Sequence, residues 1–151
     1  DYLYYTEKES LTEFAATRRA AAQAYRMAGI GPEDIDVAEV HDCFTITEIL
    51  NYEDLGFCPK GEGGRFIESG QPQLSQLGGT LPVNPSGGLL AKGHPLGATG
   101  IAQLAELYWH LREDPEVANR QARLRKGYAL QHNVGGYGIA VSVVTILTNR
   151  L

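Results

Sequence analysis

Apolar residues recur three and four positions apart in two segments of the chain, and gather in short β-rich runs in two others. Leu11, Phe14, Ala21, Ala22, Tyr25 and Ala28 form the apolar side of a first helix. Ser10-Leu11-Thr12-Glu13 reads as the capping box that opens it and Gly29 as the C′ residue that closes it. Ile101, Leu104, Ala105, Tyr108 and Leu111 predict a second helix of the same kind. Between them, a turn over residues 32–36 leads into a short strand over 37–40, expected at the centre of a sheet. Thr45-Ile46-Thr47-Glu48 repeats the capping pattern and opens a helix to about Leu55, stopped by Gly56. Residues 56–83 carry no sustained period. They read as a long loop or lid, interrupted by a short strand at Arg65-Phe66-Ile67. Residues 114–127 are a charged connection. A strand over 128–132, a glycine-rich turn over 133–138 and an alternating, β-branched run over 139–147 predict a C-terminal hairpin. Residues 1–9 have no period and read as a lead-in.

Composition narrows the class. The chain has 151 residues, 43% of them hydrophobic, enough for one domain core or for half of a larger two-domain body. Its formal charge of −5 offers no basic stripe for nucleic acid. The most basic stretch, residues 120–126, reads as a solvated turn. Two cysteines without a signal-peptide pattern point to free thiols in a reducing compartment, cytoplasmic, or peroxisomal in a eukaryote. The terminal Asn149-Arg150-Leu151 is one residue away from a peroxisomal address and is read as a frayed tail. No apolar run is long enough for a membrane span. Cys43 and Cys58 make no metal motif, since their spacing is too long and no histidine stands at ligand distance from them in sequence.

Chemistry gathers at three places. Residues 84–100 hold five of the 18 glycines and centre on Gly93-His94-Pro95. Glycine permits close backbone approach, and proline restricts the residue before it, so His94 is held in place just ahead of a helix N-terminus. A glycine-rich turn entering a helix is also a common structural device, and the residues alone leave both readings open. The first strand ends in His41-Asp42-Cys43-Phe44, where an α/β sheet usually carries its reactive groups. Cys43, two residues before a helix, is either a thiol whose thiolate the helix favours or a small buried apolar residue. Cys58, followed by proline, reads as structural. His132, Asn133 and Tyr137 fall at or near the tip of the hairpin.

In combination, His41-Asp42-Cys43-Phe44, Asn84-Pro85-Ser86-Gly87-Gly88, Gly93-His94-Pro95-Leu96-Gly97-Ala98-Thr99-Gly100 and Asn133-Val134-Gly135 resemble the C-terminal half of a thiolase, over about residues 12–147. Ordinary thiolases carry Asn-Glu-Ala-Phe in the first loop and Cys-x-Gly in the third. Here the cysteine stands in the first, as in the sterol carrier protein-type, acetyl-CoA acetyltransferase-like branch. The resemblance implies an α/β half-fold over residues 1–151, with a mixed five-stranded sheet and helices on both faces. It implies thiolysis of a 3-ketoacyl-CoA or Claisen condensation of two acyl-CoAs, in a dimer or tetramer.

By the same resemblance, His94 activates the nucleophile and helps hold the thioester oxygen. His41 positions a water at that oxyanion site. Cys43 is the acid/base at the substrate α-carbon. Asn133, with Gly135 in its loop, replaces the third-loop cysteine. Coenzyme A and acyl-CoA are substrates; no tightly bound cofactor or metal is expected. Lys60, Lys92 and Arg65 are candidate phosphate contacts. The family's acyl-accepting cysteine lies in the N-terminal half, so an N-terminal segment or a second subunit is the expected partner. Two alternatives stand: an aldolase on acyl-CoA side chains, with Tyr137 as acid/base, and a non-catalytic partner half that binds acyl-CoA or completes a dimer.

Overall fold

A computed structural model describes residues 10, 12–136 and 141–150. The expected lead-in, Leu11 of the first capping box, Tyr137 and Leu151 lie outside the described residues. The first helix, α1, is Ala15–Ala28 and begins at Phe14 rather than at Ser10. Ser10 Oγ instead accepts the Thr12 N–H in a local turn, and the Asp54 carboxylate takes the Phe14 N–H at 2.6 Å. A distant acid therefore does what the capping box was expected to do. Gly29 closes α1 with φ of 69°, as expected. Only Thr17 and Ala21 of this helix are buried, and Ala22 and Ala28 face outward.

Strand β1 is Val37–Glu39, followed by α2 over Thr45–Asp54. Thr45 is the first helical residue rather than the cap. Glu48, which should have reached back to it, accepts from Tyr52 Oη and Asn84 Nδ2. The expected strand at residues 65–67 is a helix instead, α3, Gly63–Glu68. Its start is fixed by Glu53, which accepts the Gly63 N–H, and by burial of Phe66 edge-on against Tyr52. A further short helix, α4, covers Gly88–Lys92, and α5 covers Thr99–Leu111.

The buried side of α5 follows the apolar stripe only in part. Ile101 and Tyr108 are exposed, whereas Gln103, Glu106, Leu107, His110 and Leu111 are buried. Polar partners make that possible. Gln103 joins Gln131 and the His132 carbonyl, and Arg120 grips both Glu106 oxygens at 2.6 and 2.9 Å. Within the basic stretch Arg123, Arg125 and Lys126 are exposed, as expected of a solvated turn, although Arg125 pairs with Asp36 and Lys126 with Asp34.

Strand β2 is Tyr128–Gly135 and β3 is Val141–Thr148, antiparallel to it, so the hairpin holds with Asn133, Val134 and Gly135 inside the strand rather than in the turn. The sheet runs β1-β2-β3, with β1 parallel to β2. Among the described residues three strands stand where five were expected, and β2, not β1, is the middle one. A single parallel bridge from Ala38 to Val83 lies on the other side of β1. Loop 79–87 touches the sheet there without forming a strand.

Helices cover both faces. Gln131 reaches α5 while the next residue, His132, reaches Thr17 of α1, and successive strand residues point to opposite faces. Each face has its own apolar cluster. Ala21, Ala38, Val40, Tyr52, Leu55, Phe66 and Leu130 form one, and Val37, Leu107, Leu111, Ala122 and Ala129 the other. Each large side chain buried this way contributes roughly 1.5–3 kcal/mol. No described helix is long and apolar enough to cross a membrane.

Candidate active site at the C-terminal end of the sheet

Strand β1 delivers His41 two residues past its end, the neighbouring β2 delivers Asn133, and the turn between α4 and α5 delivers His94. His41 Nδ1 lies 2.6 Å from Asn133 Oδ1, and the two imidazoles meet edge to face with centroids 4.9 Å apart. With Leu96, Val134, Gly135, Gly136, Val141 and Val143 they line a cleft of about 430 Å³. Its floor is polar and one wall aliphatic.

The hydrogen bonds fix both tautomers. Thr99 Oγ1 donates its only proton to the Pro95 carbonyl at 3.2 Å. With that proton assigned to Pro95, Thr99 Oγ1 accepts from His94 Nδ1–H, 2.7 Å away, a tautomer assigned from the network. His94 Nε2 is left as a bare lone pair. Asn133 Oδ1 accepts the Val134 N–H at 3.0 Å, which identifies it as the amide oxygen, so His41 Nδ1–H also donates and His41 Nε2 is bare too. Burial lowers the pKa of His41; its bond to Asn133 opposes the shift and the neighbouring His94 adds to it. The result is a neutral base at ordinary pH.

Small residues make room for these contacts. A Cβ on Gly100, at the start of α5, would come within 3.0 Å of Asn133 Nδ2. One on Gly88 would stand 2.2 Å from Asp42 Oδ2. Asp42, only 3% exposed, uses its carboxylate to accept the Leu89 N–H at 2.7 Å, tying the His41 loop to α4.

His41, His94, Asn133 and Gly135 thus share one cleft. Cys43 is a half-buried free thiol on the turn into α2 and does not belong to the lining of that cleft. His132 is on the other face of β2, wholly buried, with Nε2 3.0 Å from Thr17 Oγ1. Burial, reinforced by His41, drives its pKa down to about 3, so it is a neutral core residue. Lys60 is ion-paired with Glu53 and Asp54, and Arg65 with Glu62. Lys92 is exposed, in the last turn of α4. Cys58 is also half-buried, and burial, with Glu53 and Glu62 nearby, pushes its thiol up to about 11, which suits an inert structural cysteine. Among the described residues no group of three or more His, Cys, Asp or Glu side chains could hold a metal. Thr99 and Asp42 escaped the sequence reading as site residues. The one available signal was a hydroxyl five positions after His94, in the first turn of a predicted helix.

A cleft with two oriented imidazoles and an amide at the carboxyl end of a mixed sheet is an arrangement for acid/base chemistry on a carbonyl compound. The chain belongs to the thiolase C-terminal domain family, whose model matches residues 1–149. It is 47% identical over 143 residues to the acetyl-CoA acetyltransferase of Methanocaldococcus jannaschii, a match covering 95% of this chain and 36% of that protein. It is 50% identical over 128 residues to sterol carrier protein 2 of Bos taurus, covering 85% of this chain and 22% of that protein. The chain therefore spans about a third or less of these relatives. The solved Ltp2–ChsH2(DUF35) aldolase superposes with a TM-score of 0.76 at 28% identity, over 97% of this chain and 35% of that one.

Proposed function

We propose that this chain is the acid/base half of an acyl-CoA C-acyltransferase that cleaves 3-ketoacyl-CoA with coenzyme A or runs the reverse condensation. One observation carries the reading: His41 and His94 face a common cleft, each with Nδ1 fixed by a scaffold bond and Nε2 free. In thiolysis, a cysteine thiol from a partner segment loses its proton to His94 Nε2. The sulfur then attacks the 3-keto carbon. The former carbonyl oxygen gains charge, and the protonated His94 donates to it. As the carbonyl re-forms, the bond between the α- and β-carbons breaks. The acyl group stays on sulfur, and the departing enolate of acetyl-CoA takes a proton at its α-carbon from Cys43. Coenzyme A thiol then gives its proton to the Cys43 thiolate and its sulfur takes the acyl group, while the released cysteine thiolate recovers its proton from His94. His41 Nε2 holds a water in the same cleft, which hydrogen-bonds the oxygen.

Two features support the assignment. An imidazole oriented by its Nδ1 bond, with Nε2 turned to the cleft, is placed to accept a thiol proton. The aliphatic wall formed by Leu96, Val134, Val141 and Val143 suits an apolar acyl chain. The test is acylation with radiolabelled acyl-CoA of the full protein containing this chain. Label should appear on a cysteine outside residues 1–151 and vanish when that cysteine is replaced. Label on Cys43 would overturn the assignment.

A second reading, retro-aldol cleavage of an acyl-CoA side chain, draws on the likeness to the aldolase and on the absence of Cys43 from the cleft lining. It requires no free coenzyme A. Cleavage persisting in Cys43→Ala without coenzyme A would select it.

A further inference from the structure

The two histidines come from different segments, and besides their bonds to Asn133 and Thr99 the hold of α4 on β1 is one of the contacts that set their separation. Backbone contacts bring loop 82–87 to the strand: Ala38 N–H donates to the Pro82 carbonyl at 3.0 Å and Asn84 N–H to the Ala38 carbonyl at 2.8 Å. Side chains then lock the turn into α4. Glu39 is completely buried. Its Oε1 accepts the Ser86 N–H at 3.1 Å and its Oε2 the Ser86 hydroxyl at 2.8 Å. Ser86 Oγ in turn accepts the Gly88 N–H at 3.2 Å, at the first residue of α4. The Asp42 carboxylate takes Leu89 N–H one residue further on. One continuous line of bonds thus runs from the last residue of β1 through Ser86 to the start of the helix that ends next to His94.

A buried carboxylate is an unusual choice for a purely mechanical strut. Burial pushes Glu39 up to about 7, against two hydrogen bonds from Ser86 that lower it, and neighbouring Glu106 adds to the rise while Lys92 opposes it. An apolar residue would cost the core less. What the carboxylate provides is a two-point grip, which holds a turn in orientation as well as position.

We infer that Glu39 and Ser86 form a positioning latch that sets the distance between His94 and His41, and through it the rate of the chemical step at the cleft. The inference rests on the acyl-transfer reading above. Neither residue touches the substrate cleft, so loss of the latch acts on turnover rather than on binding. Displacement of a catalytic group by about 1 Å costs up to about a hundredfold in rate.

The test uses the full protein carrying this chain, with kinetics corrected for the folded fraction. Ser86→Ala and Glu39→Met should each lower kcat about tenfold with KM within about twofold. Glu39→Gln, which keeps an acceptor for the Ser86 N–H, should recover most of the rate. The double variant Glu39→Met/Ser86→Ala should be no slower than the slower single variant, since one latch cannot be opened twice. Unchanged kcat, losses confined to KM, or multiplying losses would overturn the latch. If Glu39→Met does not fold, Ser86→Ala and Glu39→Gln carry the same comparison. A crystal structure of Ser86→Ala supplies a readout free of turnover: the His41–His94 ring separation should widen, and an unchanged separation would overturn the latch. A widened separation in a protein with no acyl transfer would keep the latch and sink the functional reading instead.

Discussion

Single side chains decide what each histidine can do. Thr99 makes His94 a base at Nε2 because its hydroxyl has one proton and that proton is already given to Pro95. Thr99→Val should therefore lower kcat by about ten- to a hundredfold while leaving thermal stability within about 1 kcal/mol, and Thr99→Ser should restore much of the rate. Stopped-flow turnover beside a melting curve checks both. The two acids Glu39 and Glu106 should pull stability in opposite directions with pH. Glu39 has a folded pKa of about 7, above its ordinary 4.5. The folded state binds the extra proton between those values, so stability falls as pH rises from about 4.5 to about 7. Denaturant titrations across that range should show the decline, and Glu39→Gln should flatten it. For Glu106, burial works against the charge, but hydrogen bonds from His110 and Arg120 prevail and bring its pKa to about 2. Its contribution is present above about 4.5 and disappears as pH falls through about 2. Arg120→Met should cost on the order of 2 kcal/mol at pH 7, read as a shift in urea midpoint, with less cost near pH 2. None of these roles was legible in the chain, because each depends on which partner sits across a buried contact.

Elements were read well where local pattern and tertiary packing agree. Gly29 ends α1 because an αL residue is needed there whatever surrounds it. The hairpin follows from β-branched alternation, and its register places Asn133 opposite Val143. Reading failed where a partner overrides local preference. Arg65-Phe66-Ile67 has strand-like residues, yet Glu53 caps the Gly63 amide just ahead of it and Tyr52 takes Phe66, so the segment winds into α3. Helix α5 was found by its period, but the period did not show that Gln103, Glu106 and His110 would be buried, because they are buried only through polar partners elsewhere in the chain. The hold of α4 on the sheet leads to a further expectation. Gly88 combines φ of 64° with a Cβ position 2.2 Å from the Asp42 carboxylate. Gly88→Ala should push that carboxylate off the Leu89 amide and destabilise the protein by about 2 kcal/mol or more, measurable by calorimetry.

On the scale of the whole molecule, the sheet order brings loops from three distant stretches to one end. The motif residues His41, His94 and Asn133 were legible as a group through their resemblance to thiolase loops. The number of strands was not, because pairing is a property of neighbours and not of any one segment. Apolar side chains of the cleft stand out: Leu96 is 80% exposed, Val141 62% and Val143 52%. Large patches of this kind mark contact surfaces. Residues 1–151 produced alone should therefore self-associate, and Leu96→Asp with Val143→Lys should shift sedimentation toward a monomer. An unchanged profile would place the contact elsewhere. Strand β2 makes one more demand. Gln131 serves α5, His132 serves α1 and Asn133 serves the cleft, three duties handed out to consecutive residues by alternation alone. Adding or deleting one amino acid there would send the amide into the interior and a neutral ring into solvent reach, without altering composition. Descendants of this sequence must keep the residue count of this strand.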